Sequence, residues 1–251
     1  MVPGAGEDLC YLSGDWRILQ RLDGHRWSLD DLVTAWFAAE QVAGPPARVL
    51  DLGCGIGSVL LMLAWRFPDA VATGVEAQAV SVDLARRSIA WNGAEHRCRV
   101  HPGDLRDGAL LDTLGPFELV TGTPPYLAPG SARESHRVQK GPCNFEHRGG
   151  IEAYSAAAAR VLTPDGVLVA CEQAAQDDRV RAAARGAGLG VTHTLPVVPR
   201  AGKPPLFAVH AMRHTDAAAQ AIVLPPLMVR DARGARTADF RRLRAAMGLP
   251  P

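Results

Sequence analysis

Three acidic residues and one proline-rich turn are the parts of this 251-residue chain whose types and spacing could do chemistry. Asp51 closes the apolar run Val49-Leu50 and leads into Gly53-Cys54-Gly55-Ile56-Gly57, Glu76 follows the run Ala70 to Val75, and Asp104 follows Arg97 to His101. A fourth run, Phe117 to Thr121, leads into Gly122-Thr123-Pro124-Pro125-Tyr126. Carboxylates accept hydrogen bonds from hydroxyls and amines, and glycines let backbone approach a ligand where a Cβ would collide. Two prolines fix a rigid turn and end sheet pairing, so the Thr123 hydroxyl and the Pro124 carbonyl can point together as acceptors. Tyr126 offers a flat face for stacking on a base, an interaction worth about 1–3 kcal/mol. Any one of the acids alone would serve as an ordinary helix N-cap or exposed strand end, and the turn alone as a plain proline turn. Three acids at successive strand ends point to a ligand.

These residues need a scaffold that gathers strand ends. The apolar runs read as buried parallel strands, each followed by a helical pattern: Val59 to Leu63 and onward, Ala79 to Trp91 closed by Asn92-Gly93, and Gly149 to Leu162. Pro164-Asp165-Gly166 turns into a fifth strand, Val167 to Cys171; a helix over 177–187 follows. Val191–Val198 and Leu206–Met212 alternate as an antiparallel hairpin. The expected fold is therefore α/β, a seven-stranded mostly parallel sheet with an antiparallel edge hairpin. Residues 1–20 read as a loosely organised arm, followed by a helix that Ser28 caps and Asp30 and Asp31 favour at its positive end. That segment, 1–45, would cover the cofactor site; 46–214 would form the main domain. The tail, 215–251, holds a strand-like run (Ile222 to Val229) and a helix capped by Thr237, packed on the same domain.

In such sheets ligands bind outside the carboxyl ends of the strands. Asp51, the Gly-x-Gly-x-Gly spacing and Glu76 together suggest S-adenosylmethionine over a dinucleotide. Glycine-loop amides would lie near its amino-acid part, Glu76 would accept from both ribose hydroxyls, and Asp104 from the adenine amino group. Five scattered cysteines without a C-x-x-C spacing suggest reduced thiols in a cytoplasm, with neither a zinc site nor a disulfide scaffold. No segment reads as a membrane span or a signal peptide. The net charge of +1 excludes a strongly basic protein as a whole, and nearly all positive charge is arginine, whose fork matches phosphate oxygens.

With these residues in place, the chain resembles the class I S-adenosylmethionine-dependent methyltransferases that carry Asn-Pro-Pro-Tyr after strand four. Within them it is most similar to the bacterial tRNA adenine-N6 methyltransferases that modify the adenine beside the anticodon of a valine tRNA. Arg26-Trp27-Ser28-Leu29-Asp30 resembles that family's Arg-Phe-Ser-x-Asp segment near the cofactor. Asp51 to Gly57 resembles its cofactor loop, and Leu206-Phe207 with Val229-Arg230-Asp231 its C-terminal part. The resemblance implies a Rossmann-like class I methyltransferase fold and cofactor contacts from Asp30, Asp51, Gly53, Cys54, Gly55, Gly57, Glu76, Ala77, Asp104, Leu105 and Thr123. It also implies that Thr123 and Pro124 hold the accepting amine while Tyr126 stacks on the base, with no metal. One departure stands out: Thr123 replaces the family's asparagine, supplying one hydroxyl and no amide NH₂. The chain also resembles the Ser-Pro-Pro-Tyr cytosine-N4 methyltransferases, which implies that the Thr123 hydroxyl accepts one hydrogen bond as their serine does.

The expected acceptor is an exocyclic amine of a nucleobase, adenine N6 in tRNA. Tyr126 would meet the base, while Arg137, Lys140 and Arg148, with Arg133, His136, His147 and the tail arginines Arg233, Arg236, Arg241, Arg242 and Arg244, would bind the substrate through its phosphates. A solvated loop and an amphipathic tail helix would show the same charges. Two alternatives stay open: a methyltransferase acting on a small molecule or protein amide, and a non-catalytic RNA-binding relative. An NAD-dependent dehydrogenase is a distant further reading, because Pro-Pro-Tyr has no use in hydride transfer.

Overall fold

The computed structural model describes residues 2–128, 130–131, 139, 143, 145–214 and 221–251. A central sheet runs in the order β5-β4-β3-β6-β7-β9-β8, with β3 (Arg48–Leu52), β4 (Val71–Glu76), β5 (Cys98–Pro102), β6 (Phe117–Gly122), β7 (Leu162–Gln173), β8 (Gly190–Val198) and β9 (Phe207–Arg213). Pairing is parallel from β5 through β7. The antiparallel strand, β9, is inserted between β7 and β8, so β8 runs with the parallel set and the hairpin's second strand is internal. The tail run divides into β10 (Ile222–Val223) and β11 (Leu227–Met228), both parallel to the outer side of β8, which brings the sheet to nine strands. Pro225 and Pro226 separate them, because neither can donate to a ladder.

Side chains alternate across the sheet. Val49, Val167, Val169 and Cys171 face one hydrophobic cluster, which α1 (Leu29–Glu40), α2 (Ser58–Arg66), α3 (Ala79–Trp91) and α7 (Ala238–Ala246) complete. Leu50, Leu52, Leu168 and Ala170 face the other, covered by α4 (Gly108–Leu114), α5 (Ile151–Val161) and α6 (Asp177–Gly186). Parallel strands covered on both faces read as continuous apolar runs, which is what the sequence shows.

Two segments correct the expectation. The N-terminal arm is an antiparallel hairpin, β1 (Glu7–Tyr11) with β2 (Arg17–Arg21), docked on α3. Leu19 N–H donates to Ser88 Oγ at 2.9 Å and Arg17 N–H to Asn92 Oδ1 at 2.9 Å, so the second strand's pairing is completed by a helix. The short helix α4, absent from the sequence reading, is nucleated by Asp107, whose carboxylate accepts from the N–H groups of Ala109 and Leu110.

Candidate active site

The sheet reverses direction of winding at β3, which has β4 on one side and β6 on the other. A cavity of about 340 Å³ opens there, beyond the carboxyl ends of β3, β4, β5 and β6. This is the switch point at which open α/β sheets bind ligands, and the volume lies within the range of small-molecule sites. Of the expected residues, Asp30, Gly53, Cys54, Gly55, Glu76, Ala77, Asp104, Leu105, Thr123, Pro124, Tyr126 and Arg148 all line it. Asp51 and Gly57 do not. Arg133, His136, Arg137 and Lys140 lie outside the described residues.

Asp51 supports the glycine loop from behind. Its Oδ1 accepts from the Thr121 hydroxyl at 2.8 Å and its Oδ2 from Leu60 N–H at 3.1 Å, tying β6 and the first turn of α2 to one carboxyl group. Complete burial raises its pKa to about 7. Gly57 is packed against Ala85 of α3, at 3.3 Å from where its Cβ would be. Glu76 bridges the loop to its own strand end: Oε2 accepts from Gly55 N–H at 2.9 Å and Oε1 from Gln78 N–H at 2.7 Å. Burial pushes this carboxyl up, and the two amide donors draw it back down. Asp104, nearer solvent, is held below the usual carboxylate range by Arg106, whose guanidinium bonds both oxygens at 2.9 and 2.7 Å.

The helix α1 brings two further carboxylates to the opposite wall. Asp31 accepts from Ser28 N–H at 2.9 Å, completing a reciprocal cap, and burial beside the Asp30 carboxylate pushes its pKa well up. Asp30 accepts from the Tyr126 hydroxyl at 3.0 Å, and the same hydroxyl lies 3.0 Å from Cys171 Sγ. The tyrosine's polar end is thus anchored between α1 and β7, while Gln173 Nε2 donates to its carbonyl at 3.3 Å. Cys54 and Cys143 also face the cavity, yet burial pushes both thiols up, Cys143 to about 11; neither is set up as a nucleophile.

Sequence reasoning missed Asp31, Ser58, Gln78, Cys143, Tyr154 and Gln173 as cavity residues. Gln78 follows the end of β4 and Gln173 closes β7, a positional signal that Glu76 and the fifth strand already carried. Tyr154 sits at helical spacing among apolar residues and reads as core.

The chain is similar to known proteins in sequence and in fold. A family described as a methyltransferase domain matches residues 49–139. A tRNA1(Val) (adenine(37)-N6)-methyltransferase of Porphyromonas gingivalis is 30% identical over 139 residues, covering 55% of this chain and 54% of that protein. The chain thus spans about half the length of that relative. A release factor glutamine methyltransferase of Bordetella pertussis is 30% identical over 212 residues, covering 76% and 73%. A predicted O-methyltransferase from Agrobacterium tumefaciens shares the fold at a TM-score of 0.68 and 21% identity, over 88% of this chain and 98% of that one.

Fold and site together define a Rossmann-like methyltransferase. The chain belongs to the class I S-adenosylmethionine-dependent methyltransferases, and S-adenosylmethionine is the cofactor of that family. The residues present fit it: acceptors for hydroxyls and an amine at Glu76 and Asp104, and acids for an ammonium at Asp30 and Asp31, all on the cavity wall.

Proposed function

We propose that the chain transfers a methyl group from S-adenosylmethionine to an exocyclic amine of a nucleobase, adenine N6 in a tRNA. The observation that carries this reading is the shared cavity: Thr123, Pro124 and Tyr126 line the same space as Glu76 and Asp104. The cofactor supplies an electrophilic methyl on a sulfonium. The protein's part is orientation. Glu76 accepts from the ribose hydroxyls, Asp104 from the adenine amine of the cofactor, and Asp30 with Asp31 balances its ammonium. Thr123 Oγ1 and the Pro124 carbonyl accept from the acceptor amine and direct its lone pair, while the Tyr126 ring stacks on the base. Asp51 and Gly57 act one step removed, fixing the loop that meets the cofactor. Arg148, at the exposed rim, meets a phosphate of the substrate.

The Porphyromonas relative supports a tRNA acceptor, whereas the longer Bordetella match favours a second reading, methylation of a glutamine side-chain amide in a protein. The deciding experiment offers both acceptors, unfractionated bacterial tRNA and a release factor, with labelled S-adenosylmethionine. Label is expected in tRNA, falling steeply as salt rises because phosphate contacts release counterions. Label in the release factor, insensitive to salt, would replace base methylation with the amide reading.

A further inference from the structure

Tyr154 is a residue that the proposed chemistry leaves without work, and its surroundings are unusual. It projects from α5 toward the sheet and touches backbone on both sides of the cavity floor. A Cβ on Gly53 would lie 2.2 Å from its hydroxyl oxygen, and one on Gly122 would lie 2.5 Å from its ring. The ring is therefore wedged between the end of β3 and the end of β6, the strands that carry the glycine loop and the Thr123 turn. The residue is only 5% exposed and lines the cavity. Among the described residues its hydroxyl makes no hydrogen bond, and it opens onto the cavity, where a ligand can take it up.

The glycine loop itself has few donors to give. Cys54 N–H is bonded to the Val75 carbonyl at 3.0 Å, Gly57 N–H to the Cys54 carbonyl at 2.8 Å, and Gly55 N–H to Glu76 Oε2. A cofactor with a zwitterionic amino-acid end brings a carboxylate that needs a donor near this loop. Burial, with the Glu76 and Asp51 carboxylates close by, holds the phenol far above its ordinary pKa and keeps it a donor. We propose that the Tyr154 hydroxyl donates to the carboxylate at the amino-acid end of the bound cofactor, and so selects ligands that carry that group.

The inference rests on S-adenosylmethionine as the cofactor, and titration calorimetry with two ligands separates the two claims. S-adenosylhomocysteine has the amino-acid end; methylthioadenosine lacks it. Tyr154→Phe is expected to weaken S-adenosylhomocysteine binding about tenfold, the value of one hydrogen bond. Methylthioadenosine should bind the variant as it binds the wild type, which also reports an intact site. Unchanged S-adenosylhomocysteine affinity, or equal weakening of both ligands, would overturn the proposal. A wild type that binds neither ligand would overturn the cofactor reading itself, and this role of Tyr154 with it.

Discussion

Glu172 is fully buried on β7, with Oε1 accepting from Gln173 N–H at 2.8 Å and Oε2 without a partner among the described residues. Burial raises its pKa to about 7, from an ordinary value of 4.5. The native state therefore keeps a proton that the unfolded chain releases. Stability contributed here is full below the unfolded pKa and is lost as pH rises toward 7. Asp51 has the same sign over the same window. Glu172→Gln should raise the thermal midpoint at pH 8 and change it little at pH 4; a gain confined to acid pH would contradict this sign. At Tyr126, loss of the hydroxyl in Tyr126→Phe frees Asp30 and Cys171 and should cost about 1 kcal/mol in urea unfolding. Tyr126→Ala removes the stacking face as well, and turnover should then fall far more than cofactor affinity. Equal losses would refute a stacking role.

The elements are largely legible in the sequence because their signals are local. Buried parallel strands announce themselves as apolar runs, and Ser28, Asn92-Gly93 and Thr237 mark helix ends where the structure has them. What stays hidden depends on pairing between residues distant in sequence. The β1–β2 hairpin reads as an arm until Ser88 and Asn92 of α3 supply its partners, and β9 enters the sheet between β7 and β8 through pairing that no single strand encodes. The acids and the proline turn are visible at strand ends, whereas Asp31 and Tyr154 look like a cap and a core residue until the cavity is seen. Gly122 illustrates the same point: its φ demands no glycine, yet the ring of Tyr154 leaves no room for a Cβ. Gly122→Ala should destabilise the fold by about 1–3 kcal/mol in denaturant unfolding. Arg179 braces the approach to α5, bonding Glu146 at 2.7 and 2.9 Å and Glu152 at 2.7 Å. These ion pairs fix the segment bearing Phe145 and Arg148 against the cavity.

At the scale of the whole molecule, charge is unevenly spread. The chain carries a net charge of +1, yet Arg200, Lys203, Arg230 and Arg233 lie exposed beyond the carboxyl end of β8, at the same end of the sheet as the Thr123 turn. Arg200 and Arg230 bond the carbonyls of Ala232 and Gly234, which leaves their charge uncompensated by a carboxylate among the described residues. If this end meets tRNA phosphates, Arg230→Ala with Arg233→Ala should raise the KM for tRNA and leave kcat close to wild type. The salt slope of binding should also shrink by about one for each phosphate that is no longer neutralised. Among the described residues no helix is long and apolar enough to cross a membrane.

Presentation of an exocyclic amine of a tRNA base by the Thr123 turn to the methyl of S-adenosylmethionine is the step on which the proposed function depends. Mass analysis of nucleosides from bacterial tRNA, after incubation with the protein and isotopically labelled cofactor, tests it most directly. Labelled N6-methyladenosine is the predicted product, and it should disappear in Tyr126→Ala. Unlabelled nucleosides, from a protein that binds the cofactor tightly, would contradict that role for the turn.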